Sequence, residues 1–167
     1  LAPHDISIMC YLMDRPVRSV SAVGSSHVGN MENIAYITLN FDSGLIAHFH
    51  VNWLAPAKVR RTVIGGSERM LVYDDLEPSE KLRLYDSGVN LVKSKDEIYD
   101  ALVQYRTGDV LIPRLDQSEA LATECEHFAN VVAGKECAIS GGDMGLEVVR
   151  IIEAAQASMR LGGAPVE

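Results

Sequence analysis

Apolar positions recur along this chain at two different spacings, and turn residues mark where one gives way to the other. In residues 5–13, Ile6, Met9, Cys10 and Met13 repeat at helical intervals. Pro3 suits the first turn of that helix, and Pro16 blocks its extension. The pattern then shifts toward alternation. Residues 17–25 alternate loosely and predict a strand. Residues 32–41, rich in Ile, Tyr, Thr and Leu, predict a second, and residues 45–53 a third. Asp42-Ser43-Gly44 turns the chain between them, so 32–53 reads as a hairpin. Residues 59–64, 70–73 and 81–85 predict three more strands, with Gly65-Gly66-Ser67 in one connection. Residues 86–117 are irregular, with turn signals at Gly88 and Gly108, a break at Pro113 and only a short strand at 110–112. A weakly structured stretch of that length is more often a functional excursion than a linker.

Two helices close the chain. Asp116 with Glu119 forms a capping pair ahead of Leu121, Cys125, Phe128 and Val132, and Gly134 ends that helix. Ser140 with Asp143 resembles a second such start. Leu146, Val149, Ile152 and Ala155 then give one apolar face, and Gly162-Gly163 ends the helix. Strands joined by short turns pair antiparallel, and helices segregated in sequence pack together. The predicted fold is therefore α+β: an open-faced, largely antiparallel sheet of about six strands, with helices on one face, in a single domain over 1–167. On the uncovered face Thr38, Asn40, His48, His50 and Asn52 mix with large apolar neighbours. A sheet face of that kind is a candidate subunit interface, so a homo-oligomer is expected.

Composition narrows the partners. The chain is 47% hydrophobic and 23% charged, ordinary for a globular domain. A formal charge of -8 argues against nucleic acid, whose phosphates need a basic face. No apolar run approaches the roughly 20 residues of a membrane helix, and the opening residues do not read as a signal peptide. Cys10, Cys125 and Cys137 are odd in number and lack CxxC spacing. Free, buried thiols of a reducing cytoplasm are expected. The opening Leu1-Ala2-Pro3-His4-Asp5-Ile6 reads like the interior of a longer gene.

Several residues could carry chemistry. His4, at a helix start after a proline, can face a cleft, and a neutral imidazole there could exchange a hydrogen bond with a reacting hydroxyl. A capping or surface histidine would look the same. His48 and His50 share one strand face, but no carboxylate follows at a supporting distance. A polar strip at an interface therefore suits them better than a metal. Lys58 and Arg60 alternate onto one face, with Arg61 on the other. That pair could hold a phosphate or carboxylate, or guard a strand edge. Tyr105, Arg106 and Asp109 lie in the irregular stretch, where loops carry recognition. Gly141-Gly142-Asp143-Met144-Gly145 lacks the GxGxxG order and follows no clear strand, so it reads as a helix entry rather than a phosphate loop.

The landmarks fall in a familiar order. They are His4-Asp5-Ile6, Phe41-Asp42-Ser43-Gly44, Ile64-Gly65-Gly66, Pro113-Arg114-Leu115-Asp116, Glu119-Ala120-Leu121, Glu126-His127-Phe128, Gly145-Leu146-Glu147-Val148-Val149 and Glu153-Ala154-Ala155, closing with Ser158. Together they resemble the C-terminal domain of the glucose–fructose oxidoreductase/inositol dehydrogenase/rhizopine catabolism (Gfo/Idh/MocA) family, nearly end to end. The resemblance implies a substrate-binding and oligomerisation domain of an NAD(P)-dependent oxidoreductase. Its open sheet would form the oligomer contact, and its active site would face an N-terminal Rossmann domain that binds NAD or NADP. The histidine of the family's D-x-x-x-H motif falls on His4, and its aspartate would precede Leu1. The family lysine belongs to the other half, so this chain alone should not turn over. Trp53-Leu54-Ala55-Pro56 with Lys58 and Arg60, and Tyr105-Arg106 with Gly108-Asp109, are similar to members acting on nucleotide sugars. The implied substrate is a sugar with a secondary hydroxyl, nucleotide-linked in that subgroup. The competing expectation is a non-catalytic pairing or ligand-binding module that shares the fold.

Overall fold

The computed structural model describes residues 1–13, 15–86, 88–91, 103–106, 108–116 and 118–167, with residues 88–91 and 103–106 described by their backbone alone. The chain divides into two compact units, one of residues 1–56 and 123–167, the other of residues 57–122.

The first unit holds α1 (Ala2–Met13), the strands β1 (Val17–Ser25), β2 (Ile34–Phe41) and β3 (Ile46–Asn52), most of α2 (Ala120–Val132), and α3 (Gly142–Arg160). Its strands form an antiparallel sheet in the order β1-β2-β3. In β2, Ile37, Leu39 and Phe41 alternate inward and are all buried, as a strand period of two requires. They meet Val20 and Ala22 of β1, Ile6 and Met9 of α1, and Val148, Ile151 and Ala155 of α3 in one cluster. Gly44 turns the predicted hairpin at φ 80, a backbone angle that favours glycine.

The end of α3 is tied into the sheet by one buried hydroxyl. Ser158 is fully buried; its Oγ accepts the Ala22 amide at 2.8 Å and donates to the Ala164 carbonyl at 2.6 Å. Val20 and Val166 then exchange two backbone hydrogen bonds at 2.8 and 2.9 Å, so the C-terminal residues extend the sheet edge by a bridge.

The second unit is an antiparallel sheet in the order β4-β5-β6-β9, built from β4 (Arg61–Gly65), β5 (Met70–Asp74), β6 (Leu82–Tyr85) and β9 (Val110–Leu111), beside a separate hairpin of β7 (Gly88–Leu91) and β8 (Val103–Arg106). None of its described residues is fully buried.

The α+β class, the antiparallel pairing and the helix ends at Gly134 and Gly162-Gly163 match the expectations. Four details differ. The strands read as one sheet are hydrogen-bonded in sets of three, four and two. The irregular stretch contains the β7–β8 hairpin, which lacks a strong alternating signal. The buried face of α3 is Val148, Ile151, Ala155 and Ser158; of the predicted stripe Ala155 is buried, whereas Leu146 and Val149 are exposed. Both helix starts also differ. Glu119 itself accepts the amides of Leu121 and Ala122 at 3.1 and 2.6 Å, and α3 starts after Gly141 with no side-chain cap. The cysteines are free as expected, but only Cys10 is partly buried; Cys125 and Cys137 are exposed. Burial, and then the charge of Glu147, pushes the Cys10 thiol above its ordinary value.

Candidate functional site

The first turns of α1 and α3 line a cavity of about 470 Å³, walled by Leu1, Pro3, His4, Ser7, Met144 and Val148 with Ser140, Gly141 and Gly145. That volume falls in the range of small-molecule sites. His4 is exposed on its wall. The His4 amide donates to the Leu1 carbonyl at 3.2 Å, and Ser7 Oγ donates to the His4 carbonyl at 2.8 Å, so the backbone carrying the imidazole is fixed from both sides. On α3, positions 141, 144, 145 and 148 follow the three- and four-residue steps of one helix face. Among the described residues, no lysine or arginine lines this cavity.

Lys58 and Arg60 line a separate groove of about 220 Å³ in the other unit, with Val59, Arg61, Asp74, Leu76 and Glu77. Arg61 holds Asp74 at 2.7 Å, and Arg60 approaches Asp75 at 3.4 Å. The Arg61 hydrogen bond holds the Asp74 carboxyl below its ordinary value. Asp75 also lies below its ordinary value: its desolvation, which opposes the shift, is outweighed by hydrogen bonds from Tyr73 and Arg60 and by the charge of Lys81. The Tyr73 hydroxyl is pushed up, by burial first and then by Asp75. Tyr105 and Arg106 sit on β8 opposite Val89 and Gly88. Their side chains lie outside the described residues. His4 and the Lys58–Arg60 pair thus line two cavities rather than one.

His48 and His50 flank Tyr36 on the open face of the three-stranded sheet. The Tyr36 ring stacks with His50 at 4.6 Å and with His48 at 6.1 Å, and Thr38 Oγ1 lies 3.1 Å from His48 Nδ1. Among the described residues no group of three metal-binding side chains occurs. A further histidine cluster was not read from the sequence. His127 Nε2 accepts the Ile139 amide at 3.2 Å, which leaves Nδ1 to donate to Glu136 at 2.7 Å, and Asn130 also donates to that carboxylate at 2.9 Å. Both ring nitrogens are used, so this dyad braces the loop after α2. The only sequence signal was the spacing of His127 and Glu136 across Gly134.

Residues 1–72 match the family model of the GFO/IDH/MocA C-terminal domain. That segment, less than half of the chain, is similar to the GFO/IDH/MocA C-terminal domain. Solved structures extend the likeness of fold over the whole chain. UDP-N-acetylglucosamine 3-dehydrogenase GnnA from Acidithiobacillus ferrooxidans superposes with a TM-score of 0.71 at 22% identity, over 96% of this chain and 49% of that one. An NAD-binding protein from Listeria innocua gives 0.73 at 18% identity, over 99% and 49%. The WlbA dehydrogenase from Bordetella pertussis, solved in complex with NADH and UDP-GlcNAcA, gives 0.62 at 15% identity, over 99% and 44%. The chain thus spans about half the length of these structures. No curated protein matches it. In this chain, His4 stands at the start of the first helix, with its cavity built against the start of the last.

Proposed function

We propose that residues 1–167 are one domain, the substrate-binding and pairing half of a cytoplasmic NAD(P)-dependent oxidoreductase that acts on a secondary hydroxyl of a sugar, a nucleotide sugar in particular. The observation that carries this reading is His4, exposed on the wall of a cavity of about 470 Å³. The solved relatives named for UDP-N-acetylglucosamine and UDP-GlcNAcA support the substrate class. The described residues do not fit a dinucleotide. Gly141 to Gly145 lead into α3 with no strand before them, so NAD or NADP belongs to a nucleotide-binding half outside this chain. The part left to this chain is the sugar and its proton. The His4 imidazole is assigned to take the proton of the sugar hydroxyl, and a nicotinamide held by that other half would accept the hydride. Ser7 holds the backbone that aims the ring. Lys58 and Arg60, with Tyr105 and Arg106, are assigned to the anionic part of the substrate.

The test is oxidation of UDP-N-acetylglucosamine with NAD or NADP by the full reading frame that contains this chain. His4→Gln should lower kcat by roughly 10²–10⁴-fold with little change in KM. An unchanged kcat would remove His4 from the chemistry. An upstream frame without a glycine-rich strand-to-helix loop would favour the non-catalytic module. The open face around Tyr36, His48 and His50 is assigned to pairing of two copies. Tyr36→Asp should then shift the sedimentation profile to monomer, and a wild-type monomer at high concentration would refute the pairing.

A further inference from the structure

We propose that Gly145 is a specificity-determining residue that sets the width of the cavity beside His4, and with it the substituent a bound sugar can carry there. The inference rests on the reading of this cavity as the sugar end of the site. Glycine is the poorest helix former after proline, yet Gly145 lies in the first turns of the 19-residue α3. No positive φ requires it. A Cβ built at this position would meet nothing within 4 Å, so no packing among the described residues requires it either. What distinguishes the position is its place on the stripe of α3 that lines the cavity with Met144 and Val148. A side chain there would stand in the space opposite His4. Gly142 is the internal control: it lies in the same helix with equally open surroundings, but it does not line the cavity.

The other lining residues say what fills that space. With no lysine or arginine among the described residues of the wall, the cavity suits a neutral group better than a phosphate. Leu1, Pro3, Met144 and Val148 offer apolar contact, and Ser7 and Ser140 offer hydroxyls. An amide-bearing substituent matches this mixture: its methyl meets the apolar wall and its polar atoms meet the hydroxyls. An acetamido sugar is therefore the expected occupant, with its substituent against the α3 backbone that Gly145 leaves bare.

The experiment titrates the isotope-labelled chain with N-acetylglucosamine and with glucose, following the His4 and Met144 amide resonances. Wild type is compared with Gly145→Ala, Gly145→Leu and Gly142→Leu. Gly145→Leu should weaken N-acetylglucosamine by about tenfold or more, and Gly142→Leu should stay within about twofold of wild type. Gly145→Ala should raise Tm, because alanine is the better helix residue. Equal affinity in Gly145→Leu and wild type would overturn the role of Gly145 and leave the sugar reading standing. So would an equal loss in Gly142→Leu, or a fall in Tm on Gly145→Ala, which would assign the glycine to folding. Failure of both sugars to move His4 in wild type would overturn the sugar reading itself, and this inference with it.

Discussion

The two compact units are held together by different forces. The first packs Ile6, Leu39, Ile151 and their neighbours into a buried cluster between one sheet face and two helices. The second has no fully buried described residue, and its strands carry ion pairs instead: Arg61 with Asp74, Arg60 and Lys81 with Asp75, and Arg69 with Asp86. Burial of apolar area stabilises more per residue, whereas exposed ion pairs contribute little. The candidate catalytic residue stands on the first unit, where a rigid core can hold a side chain in place. The paired cations line the second.

Substitutions can break or sharpen this contrast. Leu39→Ala empties a fully buried site and should cost about 2–5 kcal/mol in urea unfolding. Leu71→Ala, in half-buried β5, should cost roughly 1 kcal/mol. Equal losses would mean that the units share one mode of stabilisation. Ser158→Ala removes the hydroxyl that bridges Ala22 and Ala164, leaving a buried amide without its acceptor. A loss of about 2 kcal/mol is expected; a neutral result would show that water replaces the hydroxyl. Gly163→Ala should cost about 1 kcal/mol, because φ is 95 there and a Cβ would come within 2.9 Å of Val23 Cγ1. The smallest effect belongs to the second unit. The folded Asp74 carboxyl titrates below its ordinary value, so its contribution is present above the unfolded value and lost as pH falls through the folded one. Asp74→Asn should lower Tm slightly at neutral pH and leave it unchanged in acid. A larger drop in acid than at neutral pH would reverse that assignment.

Where the sequence carried a strong local signal, the structure followed it. The 32–53 hairpin needs only alternation on either side of Gly44, and both helix ends at glycines need only the positive φ that glycine permits. The signal failed on α3. Val148-Val149, Ile151-Ile152 and Ala154-Ala155 are doublets, so two adjacent stripes satisfy the same helical period. The site was legible only in part. His4 was marked by its place at a helix start, whereas Met144 and Gly145 were read only as a helix entry and Val148 only as part of a landmark, with nothing to link them to His4.

The sequence by itself determined the kinds of element, most of their limits and the antiparallel pairing of neighbours, because alternation, helical period and turn chemistry act over a few residues. Only the tertiary structure decided which stripe of α3 is buried, that Ser158 bonds to a strand far away in sequence, and that the first turns of α1 and α3 line one cavity. Those outcomes depend on contacts between segments well over a hundred residues apart, and no local pattern encodes which of several apolar surfaces will meet.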